Sequence, residues 1–116
     1  MVLREYGIDA GIKEGLTGVW AANHKLAAIG VAVSRWITYH GAALNVTTDL
    51  EYFKLITPCG ISEFPVGSIK SMTGKVVDLV DVRKRLENSF AEIFDSKIEP
   101  VESIESIIPE PARCEK

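Results

Sequence analysis

This sequence predicts an α/β domain of the α+β kind, on three observations. Apolar, partly β-branched runs at residues 18–22, 25–33 and 36–46 are separated by short polar breaks, as sequential strands are. In residues 77–95, Leu79, Val82, Leu86, Phe90 and Ile93 recur at spacings of 3, 4, 4 and 3, one face of a helix. Finally, 116 residues, 47% of them hydrophobic, are the size and composition of one domain with a single core.

The elements follow in chain order. Val2, Leu3, Tyr6 and Ile8 fit one or two turns of amphipathic helix, after which Gly7, Gly11 and Gly15 punctuate a loop. GVWAA at 18–22 and KLAAIGVAV from Lys25 flank the polar pair Asn23 and His24, which reads as a hairpin. WITYHGAALNV at 36–46 is the third strand, with Gly41 in its interior, where glycine usually marks a bulge or a close backbone approach. Thr48 and Asp49 offer an N-cap to DLEYFKLI, in which Leu50, Phe53 and Ile56 share a face, and Pro58 stops that helix. A glycine-containing connection then leads to the long helix. Residues 96–116, with three prolines and five glutamates, read as an acidic flexible tail.

Charge narrows the function classes. The net charge is −3, and setting aside the tail leaves the rest close to neutral, so no basic excess invites nucleic acid. Apolar stretches are broken by Lys, Arg, Asn or His well before the roughly 20 residues of a spanning helix, so no membrane partner is expected. MVLREYGIDAGIKEG has neither a secretory h-region nor a transit-peptide composition, so the reading carries no address. The two thiols, Cys59 and Cys114, are accordingly expected to be reduced. Neither His24 nor His40 has metal-ligand spacing to them, and no G-x-G-x-x-G or phosphate loop is present, so no cofactor is expected.

Cys59 is the first candidate for chemistry. It stands in Thr57-Pro58-Cys59-Gly60, a turn in which the flanking glycine permits close approach to the thiol. The commoner role of such a residue is that of a small buried hydrophobe. A nearby cation would favour the thiolate, and Lys25, His24 and His40 all belong to the strand region. A Cys-His pair would serve peptidase- or amidase-like acyl chemistry, while a Cys-Lys pair activates the thiol by charge and can move the proton in acyl transfer. Spacing alone leaves both open. Taken singly, Lys25 reads as a solvated strand-end lysine, His24 as a turn residue and His40 as a structural histidine.

Residues 18–61 join G-V-W, K-[LIV]-A-[AS]-[IL]-G, H-G-x-A-x-N-V, D-L and P-C-G at particular intervals. In that order and spacing the stretch closely resembles the C-terminal half of the lipoyl(octanoyl) transferase family, also called lipoate-protein ligase B. Val66-Gly67-Ser68-Ile69 before the long helix resembles that family's closing segment. The resemblance implies the biotin/lipoate protein ligase-like fold, a mixed sheet flanked by helices. It also implies an acyltransferase that takes an octanoyl (or lipoyl) group from octanoyl-acyl carrier protein. The group is held as a Cys thioester and passed to a lysine of the lipoyl domains of 2-oxoacid dehydrogenase complexes and glycine cleavage H protein.

Carried onto this chain, the nucleophile is Cys59 and the lysine that lowers its pKa is Lys25. Contacts to the acyl substrate fall on Ala28, Ile29 and Gly30 and on Gly41, Ala42 and Ala43. Small residues suit an apolar slot for a fatty acyl chain, with backbone amides available to its carbonyl oxygen. The family's N-terminal half contains an Arg-Gly-Gly and a Thr-Tyr-His-Gly-Pro-Gly segment. Thr38-Tyr39-His40-Gly41 repeats four letters of the latter without its flanks, in register with the later H-G motif. The expectation is therefore a C-terminal portion of an octanoyltransferase catalytic domain in residues 1–95, either active through Cys59 and Lys25 or an inactive fragment needing the missing half or a partner. A Cys-His hydrolase using His40 is a third reading. WITYHG…LNVTTDL resembles plant plastid members, whereas lipoylation in general runs in mitochondria, plastids and bacterial cytoplasm.

Overall fold

A computed structural model describes residues 1–55 and 64–103. The order is α1 (Val2–Glu5), β1 (Gly11–Lys13), β2 (Leu16–Ala21), β3 (His24–Ser34), β4 (Ile37–Leu44), a 3-10 helix (Leu50–Leu55), α2 (Ile69–Thr73) and α3 (Leu79–Ile93). The strands form one antiparallel sheet in the order β1-β2-β3-β4. A parallel bridge between Lys25 and Val66 makes the pairing mixed. None of the helices among the described residues is long and apolar enough to cross a membrane.

The hairpins follow from their turns. Ala22 and Asn23 both take positive φ (45° and 65°), as do Arg35 and Trp36 (49° and 66°). Two successive left-handed residues twist the chain in the sense of the flanking strands, so each pair closes a tight hairpin. Between β3 and β4 the register runs unbroken from Ala27 opposite Leu44 to Ser34 opposite Ile37.

Gly41 therefore carries no bulge, and a Cβ built on it would touch nothing. What glycine supplies there is backbone freedom: His40 has φ 69° and Gly41 φ 155°, within an otherwise regular ladder. The irregularity lies elsewhere. Consecutive residues Val19 and Trp20 on β2 face Ala27 and Lys25 on β3, two apart, so Leu26 is an extra residue in β3.

Expectation and structure differ at other places too. The stretch read as a loop after α1 contains β1, paired to β2 through the Gly15 turn (φ 74°). The short helix is a 3-10 turn with no buried residue, begun by Asp49, whose carboxylate accepts the Glu51 N–H at 3.1 Å. Ile56 and Pro58, assigned to its end, lie outside the described residues. α2 was not expected. Ser68 caps it in a reciprocal box, its hydroxyl accepting from the Ser71 N–H (3.0 Å) while the Ser71 hydroxyl accepts from the Ser68 N–H (2.9 Å).

The long helix forms as its period predicts, with Asp78 accepting the Val80 N–H at 3.0 Å as N-cap. Its apolar stripe is only partly covered. Val82 is 1% exposed, whereas Leu79, Leu86, Phe90 and Ile93 are all exposed; among the described residues Val82 is the one member of this stripe that joins the buried core. The core gathers Leu3, Ile8, Ala21, Leu26, Val46, Ile69 and Val82. Full burial of a side chain such as Leu26 or Ile69 contributes about 1.5–3 kcal/mol each.

α1 is tied to α3 through polar groups. The Tyr6 hydroxyl donates to Asp81 at 2.8 Å, Arg85 Nε donates to the same carboxylate oxygen at 2.8 Å, and Arg85 also pairs with Glu5. Arg85, and secondly the Tyr6 hydroxyl, hold the Asp81 carboxyl below its ordinary value.

Candidate active site

Register decides which side chains share a face. Directly opposed residues point to the same side of a sheet and neighbours along a strand to opposite sides. Lys25 opposes Trp20, and Ala27 opposes Val19, so Lys25 and Ala27 lie on opposite faces. Ala28 alternates with Ala27 and therefore joins Lys25. The bulge achieves this; without Leu26 as an extra residue, positions 25 and 28 would point to opposite sides.

One face consequently carries Gly18, Trp20, Lys25, Ala28 and Ala43, with Gly30 opposite Gly41 further along. The other carries Val19, Ala27, Ile29, Ala42 and Leu44. With Leu3, Leu86 and Ile93 these line an apolar groove of about 360 Å³ under α1 and α3. The two triads named for acyl contact are thus cross-strand partners, Ala28 with Ala43, Ile29 with Ala42 and Gly30 with Gly41. Their side chains are divided between the faces: Ala28 and Ala43 stand on the Lys25 side, Ile29 and Ala42 on the helical side.

Lys25 is held at its backbone from both sides. Besides the pairing with Trp20, its N–H donates to the Pro65 carbonyl (3.0 Å) and its carbonyl accepts the Gly67 N–H (2.9 Å). The Lys25 side chain is half-buried, with Nζ 5.7 Å from the centre of the Trp20 ring. A second ammonium, Lys13 on β1, lies 5.6 Å from the same ring and 3.5 Å from the centre of Phe64, and donates to Asn23 at 3.1 Å. Phe64 meets Trp20 edge to face at 5.6 Å. The Trp20 indole N–H is buried with no hydrogen-bond partner among the described residues. Two cations beside one aromatic wall favour an anion in this region.

The remaining candidates are placed as follows. Cys59 and Cys114 lie outside the described residues. His24 is half-buried at the start of β3, its ring Nδ1 donating to the Ala22 carbonyl at 2.9 Å, as a turn residue does. His40 is exposed, its ring centre 4.6 Å from that of Tyr39 and tilted 58° to it, and it opposes Val31, six residues along β3 from Lys25. At about 3.3 Å per residue that is roughly 20 Å from the lysine, and on the other face. Among the described residues no three metal-binding side chains gather.

Asn45 carried no assigned role in the sequence. Its side chain donates to the Gly67 carbonyl at 3.1 Å, and its backbone binds both Leu26 (2.9 Å) and Ile69 (3.0 Å), which fixes the segment that flanks Lys25. The asparagine in H-G-x-A-x-N-V was the available signal, since a strand-end Asn is well suited to bridging backbone groups.

The lipoyl protein ligase A/B catalytic domain family matches residues 1–91. This chain belongs to that family. Octanoyltransferases are among its similar proteins. The one from Caldanaerobacter subterraneus subsp. tengcongensis is 54% identical over 101 residues, covering 87% of this chain and 44% of the relative. That of Clostridium kluyveri is 48% identical over 105 residues (90% and 45%), and that of Koribacter versatilis 48% over 110 residues (92% and 44%). The chain therefore spans a little under half the length of these relatives. The α/β architecture with its antiparallel meander and flanking helices is consistent with this catalytic domain family.

Proposed function

We propose that this chain carries the acyl-transfer centre of an octanoyltransferase, with Cys59 as nucleophile and Lys25 as the cation and proton carrier beside it. The observation that supports this most is Lys25 itself. A bulge turns it onto the face of Ala28 and Ala43, its backbone is clamped by Trp20 on one side and by Pro65 and Gly67 on the other, and it belongs to a chain whose relatives are octanoyltransferases. Cys59 is six residues from Pro65, at most about 20 Å of extended chain.

In this reading the Cys59 thiolate attacks the thioester carbonyl of octanoyl-acyl carrier protein. The carrier thiol leaves with a proton from the Lys25 ammonium, and octanoyl remains on Cys59 as a thioester. A lysine amine of a lipoyl domain then attacks that thioester, an amide forms, and Cys59 departs as thiolate while the amine proton returns to Lys25. A thiol of ordinary pKa near 8.5 is only a few per cent ionised at pH 7, so a neighbouring ammonium raises the reactive fraction severalfold. The first step exchanges one thioester for another and the second is drawn downhill by amide formation, so neither needs a nucleotide or metal. The paired small residues Ala28, Ala43, Gly30 and Gly41 provide a strip along which an octanoyl chain can lie.

A second reading is favoured by the exposed apolar surface: a fragment that acts only with a complementary polypeptide. Val31, Val33 and Ile37 on the β3–β4 hairpin are 56%, 61% and 69% exposed, and the chain covers under half of its relatives.

The test is transfer from octanoyl-acyl carrier protein to a lipoyl domain, read by intact mass. The first reading predicts transfer that is lost in Cys59→Ala and in Lys25→Ala and kept in His40→Ala. Transfer kept in Lys25→Ala and abolished in His40→Ala overturns it in favour of a Cys-His pair. Transfer that arises only when a polypeptide matching the relatives' other half is added supports the fragment reading.

A further inference from the structure

We infer that Gly18 is a positioning residue for Lys25: the absence of a side chain at Gly18 is what lets the lysine stem lie back across β2 and sets where its ammonium stands. The inference rests on the proposed role of Lys25.

Gly18 is buried, and it lies two residues before Trp20, hence on the Lys25 face of the sheet. A Cβ built on it would stand 2.7 Å from Lys25 Cε and 3.5 Å from Lys25 Nζ. It would also stand 2.5 Å from the Ala27 carbonyl oxygen, a backbone atom with no room to move inside the β2–β3 ladder. The Gly18 φ of 128° independently favours glycine. The other strand glycines on this face, Gly30 and Gly41, would meet nothing on gaining a Cβ. Of these three glycines Gly18 alone is pressed against the Lys25 stem, and it is pressed against the Ala27 carbonyl as well.

Its opposite wall is the Trp20 ring, whose centre is 5.7 Å from Nζ. Between a missing side chain and an indole face, a flexible four-carbon stem loses much of its freedom, and its ammonium is placed before any substrate arrives. Among the described residues, Lys13 on β1 lies against the same Trp20 ring, and His24 is the residue before Lys25 at the start of β3. Gly18 acts through Lys25 and touches no reacting atom.

Two measurements on the full chain test this. In the wild type, an NMR cross-peak between Gly18 Hα and the Lys25 ε-methylene is expected; its absence in a folded sample overturns the inference whatever any variant does. The second is iodoacetamide alkylation of Cys59 across pH, read peptide by peptide with Cys114 as internal reference, in wild type, Gly18→Ala, Lys25→Met and the double variant. Loss of the ammonium in Lys25→Met should slow Cys59 alkylation near pH 7 by about tenfold, the effect of a one-unit rise in thiol pKa. Gly18→Ala should slow it by roughly three- to tenfold and add nothing further in the Lys25→Met background. A Cys59 profile unchanged by Lys25→Met overturns the dyad reading and the inference with it. A profile shifted by Lys25→Met and unchanged by Gly18→Ala overturns the inference alone, as does an additive effect in the double variant.

Discussion

Lys25 and Ala28 are three residues apart on β3 and yet face the same side of the sheet, because Leu26 is an extra residue opposite the Val19–Trp20 step. The same extra residue puts Leu26 into the core at 0% exposure beside Ala27 at 7%. One local irregularity thus serves both packing and the candidate site: it buries a leucine and turns a lysine outward onto the strip of small residues.

That dual role makes Leu26 sensitive. Leu26→Ala should cost about 2–5 kcal/mol by denaturant unfolding, the usual range for a fully buried leucine. Ile29→Ala, at a residue 43% exposed on the groove, should cost clearly less. Equal losses at the two positions would show that the bulge is not where the core is built.

Asp81 gives the acid side of the stability curve a definite sign. Arg85 and then Tyr6 lower its folded-state pKa from an ordinary 3.8, so the unfolded chain takes up the proton first as pH falls. The stabilisation is therefore complete above about pH 4 to 5 and is lost as pH drops through the lowered native value. Asp81→Asn should be less stable than wild type at pH 7 and should lose less on going from pH 5 to pH 2. Parallel pH profiles for the two proteins in thermal melts would refute this.

The segment that flanks Lys25 depends on two small polar devices. Ser68→Ala removes the cap of α2 and should cost about 0.5–2 kcal/mol. Asn45→Ala removes the bond to the Gly67 carbonyl and should cost about 1 kcal/mol. Because Gly67 is bonded to Lys25, Asn45→Ala should also slow acyl transfer, whereas Thr48→Ala, near the same strand end, should leave the rate unchanged.

The exposed hairpin predicts self-association. Val33 is 61% exposed and Trp36 98% exposed, and β4 is the last strand in the sheet order. Val33→Lys should change stability by under about 0.5 kcal/mol while reducing light scattering at high protein concentration. Unchanged scattering would mean that this surface is not the sticky one.

Much of the fold was legible in the residues. The polar break at Asn23 and His24 marked the β2–β3 hairpin one residue late, since the turn is Ala22 and Asn23 and His24 already begins β3, and the 3-4-4-3 spacing marked α3, because periodicity and turn residues act over short range. β1 was hidden because Gly11 and Gly15 punctuate like a loop, and its strand character comes from pairing with β2. The bulge was hidden for a related reason: Lys25-Leu26-Ala27-Ala28 reads as simple alternation, and only the register against β2 shows Leu26 as extra. The exposure of Leu86 and Phe90 could not be read from period alone, since a stripe is buried only where another element covers it. For the candidate site, it was the family resemblance that pointed to Lys25 and to both small-residue triads. The division of those triads between two faces needed the strand pairing.

The most direct measurement is peptide mapping of the chain after incubation with octanoyl-acyl carrier protein. The account predicts a hydroxylamine-sensitive octanoyl thioester on Cys59, absent in Cys59→Ala and much slower to form in Lys25→Met. A folded, soluble chain that acquires no such adduct, or acquires it on another residue, contradicts it.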